Sequence, residues 1–401
     1  MKYRIAIVVH GRFFAFNLAT ALLARGHDVQ LFTNYPRWAV ARFGVPAERV
    51  VSDWKHGIAT RFFSFIMHRL GVSYPEAWLH QNFGAWAARR VARSEWDVVF
   101  CFSGVSEELI NAVKGSRSQS WLCRGSCHIR TQAELLQAEM RRAGVSIDQP
   151  SEWMIEREER EYANADVIVT LSDFAGQTFD GTGDEAKVVV LPLGVDVANF
   201  RLSPEKTEAR RQRILSGAKL RVLFVGAKSY QKGLIDLAQI ARTLTGRFEF
   251  RFVGPEEPQA RPLLDTMRAH AELVPVVPEA QLCQVYEWGD IFIFPTIQDG
   301  FAVVLTQAYA AGLPILATTN CGAPDFIRDG ETGWILPIRA PEEFIDRLDW
   351  CERHRAELAD VVTRVAHEFQ PRTWGDVASD LEMAIAERRA LRGAQLVGAP
   401  G

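Results

Sequence analysis

The chain has 401 residues, of which 48% are hydrophobic and 24% charged, and its formal net charge is −3. This composition excludes a disordered, collagen-like or low-complexity chain, and the near-zero charge excludes a global basic field for nucleic-acid binding. At about 150 residues per domain, the length predicts about two domains. The cysteines lack paired spacing and no apolar run is long enough to span a membrane, so we expect a cytoplasmic protein with reduced thiols and no signal peptide.

The N-terminal half begins with a strand, a glycine loop, a helix and a second strand. Residues 5–9 form an apolar run of the kind buried on both faces of a parallel sheet, and residues 13–24 carry apolar side chains at helical spacing. A capping box at Thr131–Glu134 predicts the start of a later helix. Further strands are predicted at 97–102, 120–123, 167–171 and 187–191. The alternation predicts βαβ units in a doubly wound α/β domain.

The same pattern starts again after a charged break. Leu220 begins a new predicted strand, which leads into a glycine loop from Gly226 to Gly233 and then a helix. Further strands are predicted at 248–253, 273–277, 291–294 and 314–317. We therefore expect two Rossmann-like α/β domains facing each other across a cleft, with ligands at the carboxyl ends of the strands. We expect the first domain at 1–200, a linker at 201–219 and the second domain at 220–372. A C-terminal helix at 373–392 is expected to pack back toward the first domain, and a frayed tail follows at 393–401.

The segment from Pro295 to Pro314 is the most informative part of the sequence. It follows a predicted strand and opens a helix; Gly300 lets the backbone approach a ligand, and the helix start favours an anion. Asp299 and Gln307 are too far apart for one proton transfer, but they could hold two parts of an elongated ligand, such as the sugar and the ribose on either side of a diphosphate. The alternative is that Asp299 only caps the helix and Gln307 lies on the surface.

This segment resembles the signature of retaining family 4 glycosyltransferases with the GT-B fold, in which two glutamates flank a Gly-Phe-Gly turn. Here the matching residues are Asp299, Gly300, Phe301, Ala302 and Gln307. Other family segments are resembled, in order, by residues 161–174, 187–200, 226–233 and 321–333. The resemblance implies that the second domain binds a nucleoside-diphosphate sugar, UDP- or GDP-linked, and that the first binds the acceptor.

The resemblance also gives individual residues roles. Lys232, beside a glycine and before a helix, would neutralise the donor diphosphate, and Lys228 would add a second positive charge. His128 and Asp299 would be the catalytic residues near the reacting sugar. The donor-binding residues would be Gly11, Gly226, Lys228, Lys232, Gly300, Phe301, Ala302, Val303 and Gln307, with Arg12 beside Gly11 touching phosphate or acceptor. The alternatives are solvated lysines, a solvated arginine and a structural histidine.

A metal or another cofactor is not expected. Cys123, Cys127 and His128 superficially suggest a metal site, but a fourth ligand is missing. The chain also has no Asp-x-Asp pair to hold a divalent cation on a diphosphate. A transferase of this kind would therefore stabilise its leaving group with positive side chains and a helix N-terminus.

Residues 55–93 combine six basic side chains with one acidic residue, Glu76. Basic and aromatic character together predict a surface for an anionic membrane or a lipid-linked acceptor. The alternative is that helices pack these aromatic side chains into the core of the first domain. The aromatic residues are Phe62, Phe63, Phe65, Tyr74, Trp78, Phe83 and Trp86.

Together these features predict a metal-independent retaining glycosyltransferase of cell-surface glycan biosynthesis. Its acceptor would be a hydroxyl of a glycan, a lipid-linked molecule or a small molecule, and its place the cytoplasm, with contact to the inner face of the membrane as an option. Since no enzyme nucleophile is evident, the resemblance implies a same-face displacement assisted by the leaving phosphate. The alternatives are a GT-B sugar-nucleotide epimerase or phosphorylase and a non-catalytic sugar-nucleotide-binding subunit, which the Asp299 and Gln307 replacements suggest.

Overall fold

The computed structural model describes residues 1–70 and 75–397, and the side chains of these residues except 64–70 and 393–397. Seven strands form the first sheet: β1 (Arg4–Val9), β2 (Asp28–Thr33), β3 (Val50–Ser52), β4 (Val98–Phe102), β5 (Gln119–Cys123), β6 (Val167–Thr170) and β7 (Val188–Val190). Their order is β3-β2-β1-β4-β5-β6-β7, and every pairing is parallel. Residues 5–9 are buried throughout, as a parallel sheet covered on both faces requires.

Helices cover both faces of this sheet. They are α1 (Ala15–Ala24), α2 (Arg37–Ala41), α3 (Trp54–Leu70), α4 (Glu76–Val91), α5 (Glu107–Val113), α6 (Ile129–Ala143), α7 (Glu152–Asn164) and α8 (Asp173–Gln177). Two apolar clusters, one on each face, form the core of this first domain. The described range ends before the last residues of the predicted tail, 398–401, and it omits Tyr74.

The second domain repeats the plan with six parallel strands in the order β10-β9-β8-β11-β12-β13, namely β8 (Arg221–Val225), β9 (Glu249–Val253), β10 (Glu272–Val274), β11 (Ile291–Phe294), β12 (Ile315–Thr318) and β13 (Gly333–Leu336). Its helices are α9 (Pro204–Leu215), α10 (Leu234–Thr243), α11 (Arg261–Met267), α12 (Glu279–Trp288), α13 (Val303–Ala310), α14 (Pro341–Arg353) and α15 (Arg355–Glu368). The two Rossmann-like domains make the predicted fold class correct. The short strands β3 and β13 were not predicted, because the serine that ends β3 and the glycine that begins β13 interrupt their apolar runs.

Residues 201–219, predicted to be a linker, contain α9, which packs on α15 of the second domain. Arg210 is buried and donates hydrogen bonds to the carbonyl oxygens of Ala311 and Tyr286. Ile214 belongs to the core of the second domain. The segment was predicted to be a linker because it is rich in charged residues. One of the few residues that anchor its helix is an arginine, a residue type that is mostly exposed in proteins.

The last helix, α16 (Trp374–Val397), returns to the first domain and packs on α1. Val377, Leu381 and Ile385 of α16 are buried in the core of the first domain. Glu382 accepts hydrogen bonds from Arg25 at 2.5 Å and shares one with the His27 ring at 2.7 Å. The C-terminal helix is therefore anchored by both apolar contacts and an ion pair.

The two crossings between the domains run side by side. The backbone nitrogen of Val195 donates to the carbonyl oxygen of Arg372 at 2.9 Å, and the Arg372 guanidinium donates to the carbonyl oxygen of Pro192. A Cβ on Gly194 would lie 2.6 Å from the backbone nitrogen of Trp374, so glycine is needed for this close approach. Among the described helices, none is both long and apolar enough to cross a membrane.

Candidate active site

Two loops of the second domain are joined at the carboxyl end of its sheet. The loop after β8 ends at Gly233, and the other follows β11 from Pro295. The backbone nitrogen of Ile297 and the hydroxyl of Thr296 both donate to the carbonyl oxygen of Gln231, at 2.9 and 3.1 Å. Gly233 has φ +76°, and a Cβ there would lie 1.9 Å from the carbonyl oxygen of Pro295. Only glycine fits this position, so these loops form one rigid unit.

Lys232 and Asp299 meet where these two loops join. The Lys232 ammonium donates to the Asp299 carboxylate over 2.5 Å, and both side chains are partly exposed, at 18% and 21%. The second carboxylate oxygen accepts the Phe301 N–H at 3.1 Å. The structure thus brings together two residues that the sequence analysis singled out separately, 67 positions apart. An ammonium has three N–H donors, so the pair leaves Lys232 able to bind a further anion.

Gly300 faces the first domain. A Cβ added to it would lie 2.1 Å from the carbonyl oxygen of Gly125, in the loop after β5. Two residues earlier, the fully buried Gln298 accepts a hydrogen bond from the Ser126 hydroxyl at 2.5 Å. Gly300 therefore permits the two domains to touch, whereas the sequence analysis expected it to approach the ligand.

The residues after Gly300 start helix α13, but not as expected. The N-cap is Ala302, in the left-handed conformation at φ +65°, where the resembled motif has glycine. Asp299 is therefore not a helix cap. Phe301 is buried, and its ring belongs to the apolar cluster of the first domain, so its side chain holds the domains together. Val303 is exposed at the first turn, where N–H groups lack intrahelical partners.

Gln307 is half-buried on α13, and its side-chain oxygen accepts a hydrogen bond from the Tyr286 hydroxyl at 2.8 Å. It is thus neither a purely surface residue nor free of partners. Its amide NH₂ remains a potential donor to a ligand hydroxyl. The predicted ribose contact stays a prediction.

Lys228 does not line the same surface. Its side chain is fully buried, and its ammonium donates to the carbonyl oxygens of Gly254 and Val274 at 2.5 and 2.7 Å. Burial lowers the pKa of this ammonium. The lysine ties the ends of β9 and β10 to the loop, which corrects its predicted role as a second phosphate-binding charge. The carbonyl oxygen of the nearby Gly226 lies 2.1 Å from where a Cβ of Gly254 would be, so only glycine fits at position 254.

His128 lies in the first domain and is the N-cap of α6. Its Nδ1 accepts the backbone N–H of Arg130 at 3.2 Å, and the ring packs between Tyr162 and Phe179. Burial lowers the imidazole pKa, which favours the neutral ring. These contacts account for His128 without a catalytic role, and they also correct the predicted helix start at Thr131, since the helix begins at Ile129.

Gly11 lies at the carboxyl end of β1 with φ +95°. Its backbone N–H donates to the Asn34 side-chain oxygen at 2.8 Å, which joins the ends of β1 and β2. Arg12 lies over the ring of Phe43, with 3.9 Å between guanidinium carbon and ring centroid. Neither residue contacts the Lys232–Asp299 pair directly; both belong to the first domain's side of the cleft.

Residues 55–93 contain both buried and exposed aromatic side chains. Phe83 is buried in the core and Trp86 packs against it, whereas Phe62 and Trp78 are more than half exposed. Arg61, Arg89, Arg90 and Arg93 are exposed as well. The side chains of Phe65 and Arg69 lie outside the described residues. The predicted packing into the core is therefore found for Phe83 and Trp86, and the membrane or acceptor role of the exposed part stays a prediction.

Sequence reasoning missed an ion network between the domains. Glu139 and Arg142 of α6 meet Asp236 of α10 and Arg339 of the second domain: Arg339 donates to Glu139 at 3.0 Å, and Arg142 pairs with both Glu139 and Asp236. Both carboxylates are fully buried. Only the Glu139–Arg142 spacing along one helix was visible in the sequence, because the other partners are far away along the chain.

Comparisons with known proteins agree with this geometry. Residues 219–353 match the sequence profile of the family "Glycosyl transferases group 1". The D-inositol 3-phosphate glycosyltransferase of Geodermatophilus obscurus is 27% identical over 266 residues, 60% of this chain and 58% of that protein. The amylovoran biosynthesis glycosyltransferase AmsK of Erwinia amylovora is 27% identical over 158 residues, 36% of this chain and 38% of that protein. The chain spans about half the length of the curated relatives it matches.

Solved structures match over nearly the whole chain. Anabaena HepE, solved in complex with UDP, has a TM-score of 0.65 at 13% identity, covering 96% of this chain and 100% of that one. Sucrose-phosphate synthase from Thermosynechococcus elongatus has a TM-score of 0.70 at 16% identity, covering 98% and 100%. The fold is therefore the GT-B fold of glycosyltransferases. Within it, the match to the family profile lies in the second domain.

Proposed function

We propose that this protein is a glycosyltransferase that moves a sugar from a nucleoside-diphosphate sugar to an acceptor hydroxyl. The observation that carries the proposal is the Lys232–Asp299 pair, held by two rigid loops at the carboxyl end of the second sheet. The loop after β5 of the first domain contacts Gln298 and Gly300, the two neighbours of Asp299 in the chain. A donor held at this pair would therefore lie at the junction of the two domains.

The chemistry of the pair suits a diphosphate leaving group. Lys232 can donate charge-assisted hydrogen bonds to phosphate oxygens, while Asp299 keeps its ammonium oriented. The first turn of α13 adds unpaired N–H groups with a partial positive charge. Together these groups would stabilise the negative charge that develops as the sugar leaves, without a bound metal ion. UDP- or GDP-linked sugars are the proposed donors; HepE was solved with UDP-glucose.

Retention of the sugar configuration follows best from the environment of Asp299. One of its oxygens accepts the Lys232 ammonium and the other the Phe301 N–H, so the carboxylate is not a free nucleophile. A same-face displacement assisted by the leaving phosphate needs no such nucleophile. We therefore favour this route over a covalent sugar–enzyme intermediate.

The acceptor belongs to the first domain in this proposal. Relatives are described as acting in amylovoran biosynthesis and on D-inositol 3-phosphate, which supports a glycan, a lipid-linked molecule or a small polar molecule as acceptor. The exposed part of residues 55–93 supports contact with the inner face of a membrane.

The experiment is a panel of nucleoside-diphosphate sugars, with nucleotide release measured with and without candidate acceptors. Lys232→Ala should lower turnover at least about tenfold with an unchanged fold, since it removes the charge that stabilises the leaving diphosphate. Lys219→Ala, at an exposed lysine of the same domain, is the control and should keep full activity.

Each other outcome identifies a rival. Conversion of the nucleotide sugar without any acceptor would indicate an epimerase. Binding of UDP or GDP without turnover on any donor would indicate a non-catalytic binding subunit. An unchanged rate in Lys232→Ala would remove the phosphate role of this lysine.

A further inference from the structure

The first domain contains a cavity of its own, of about 1050 Å³. It lies at the carboxyl ends of β1, β2 and β3, where His10, Asn34 and Ser52 line it, and α3 forms its outer wall. Every residue that lines it belongs to the first domain. The loop after β5, which contacts Gly300, is two strands away from β1 in the same sheet, or about 10 Å. The cavity is thus separate from the Lys232–Asp299 pair but opens on the same edge.

Positive charge in this cavity has no counter-charge. Arg37 and Arg61 line it, and neither aspartate nor glutamate does. Within the described part of the chain, these two arginines make no ion pair; Arg61 lies 5.4 Å from the Tyr35 ring instead. Some arginines of the same domain are paired instead, as Arg25 is with Glu382. Two unpaired guanidinium groups in a concave site are suited to a phosphate, which they can bind with several hydrogen bonds.

Polar groups in the cavity wall also lack partners. The Nε2 atom of His10 is buried without a hydrogen-bond partner. Asn34 is buried and uses its side-chain oxygen for Gly11, and among the described residues its NH₂ group donates to none. Buried polar groups are normally hydrogen-bonded, so these atoms are consistent with a polar ligand in the cavity.

The rim of the cavity is apolar and exposed. Trp38, Trp54 and Ile58 line the opening and are 64%, 49% and 58% exposed. Phe62, one turn after Ile58 on α3, is exposed too. Indole rings beside basic residues are typical of side chains that lie at a membrane–water interface. The rim therefore fits an apolar chain attached to the anionic group.

We propose that this cavity binds the terminal phosphate or diphosphate of an amphiphilic acceptor whose apolar chain lies along the tryptophan rim. Arg37 and Arg61 bind the phosphate oxygens, and Trp38 and Trp54 contact the chain and the membrane around it. This inference rests on the proposed function in that it names the acceptor's chemical class, but the cavity's binding can be measured without turnover.

The test is flotation of the full chain with vesicles of three compositions: phosphatidylcholine alone, phosphatidylcholine with phosphatidylglycerol, and phosphatidylcholine with a polyprenyl phosphate at the same surface charge. Phosphatidylglycerol carries a phosphodiester, whereas the polyprenyl lipid presents a terminal phosphate. We expect binding at least about tenfold tighter to the polyprenyl phosphate than to phosphatidylglycerol, which corresponds to about 1.4 kcal/mol.

The double variant R37Q/R61Q should reduce this ratio to about one, because both guanidinium groups that donate charge-assisted hydrogen bonds to the phosphate are lost. The control R89Q/R90Q removes the same charge from exposed positions of α4 and should keep the ratio. Equal binding to both anionic vesicles, or an equal loss in the control, would show general surface attraction and overturn the proposal. Displacement from the vesicles by an equal concentration of glycerol 3-phosphate would overturn the lipid-linked assignment.

Donor binding, measured in parallel as the thermal shift caused by UDP or GDP, separates the two hypotheses. Sugar transfer to a lipid-linked acceptor that is unaffected by R37Q/R61Q overturns this inference alone. Specific vesicle binding by a protein that transfers no sugar supports the cavity and removes the proposed function.

Discussion

The two domains treat positive charge in opposite ways. In the second domain, Lys232 is paired with Asp299 and fixed by hydrogen bonds between two loops. In the first domain, Arg37 and Arg61 line a cavity without any carboxylate and with exposed aromatic side chains around it. A paired cation is already oriented before a ligand arrives, whereas unpaired cations attract an anion but remain mobile.

This difference suits different partners. A nucleoside diphosphate is small and the same in every turnover, so a rigid site costs little orientation at the moment of reaction. An amphiphile reaches the protein from a surface, so an exposed apolar rim beside basic residues would help its capture. The contact of Gly300 with Gly125 joins the two domains that contain these sites.

The largest effect is expected from separating the two regions. In Gly300→Ala the new Cβ would lie 2.1 Å from the Gly125 carbonyl oxygen, a backbone atom that no side-chain rotation can relieve. Transfer should fall at least about a hundredfold, since a displacement of about 1 Å is enough for such a loss. UDP or GDP affinity, measured by calorimetry, should stay within about threefold, because the second domain alone carries Lys232.

The matched control is Gly125→Ala on the other side of the same contact. A Cβ there would meet nothing within 4 Å, so transfer should be nearly unchanged. If Gly300→Ala transfers sugar as fast as the unsubstituted protein, the contact between the domains has no part in catalysis. The sites of the two domains would then act independently of each other.

A second expectation concerns Lys228, whose ammonium is fully buried and donates to two carbonyl oxygens, whereas the Lys232 side chain is partly exposed. Lys228→Met would leave two buried carbonyl oxygens without a donor, which lowers the free energy of unfolding by about 1–3 kcal/mol. Lys232→Met should cost less than about 1 kcal/mol, because its ion pair is partly exposed. Urea unfolding measures the loss of stability in both variants. The loss of UDP or GDP affinity should follow the opposite order, larger in Lys232→Met than in Lys228→Met. A loss of nucleotide affinity in Lys228→Met without loss of stability contradicts the structural role.

The smallest effect is a pH dependence in the first domain. Burial, with the neighbouring His80 and His56, lowers the pKa of His10 to about 3. The unfolded chain would bind a proton on this histidine below about pH 6.5 while the folded protein would not, so stability falls as the pH drops from about 6.5 toward 3. Between about pH 6.5 and 5, His10→Gln should flatten the dependence of the unfolding free energy on pH by about 1–2 kcal/mol. His367→Gln, at an exposed histidine, should leave the slope unchanged. An unchanged slope in His10→Gln would mean that this ring is protonated in the folded protein.

Most of the fold could be predicted because parallel sheets buried on both faces leave continuous apolar runs in the sequence. The runs at 5–9, 97–102 and 291–294 correspond closely to β1, β4 and β11. The α9 segment could not be recognised as part of a domain, since its anchors are one buried arginine and one isoleucine within a charged helix. Its place depends on the carbonyl groups of distant loops.

The site was predictable to a different degree for each residue. Lys232 and Asp299 were singled out by the family resemblance and by their place in loops beside a glycine, and the structure adds that they bind each other. Lys228 and His128 have the same local features, a charged or basic side chain after a strand. Their roles were decided by neighbours far along the chain: the carbonyl oxygens of Gly254 and Val274 enclose Lys228, and Tyr162 and Phe179 enclose His128.

Length, composition and periodicity therefore determined two α/β domains and the loops after their strands, because local backbone preferences and burial patterns are visible along the sequence. Only the tertiary structure decided which cations are exposed to a ligand. The net charge of −3 hides this distinction, since it adds the buried Lys228, the paired Lys232 and the unpaired Arg37 and Arg61 as equal charges. Desolvation and hydrogen-bond partners, which arise when distant segments meet, make them physically different.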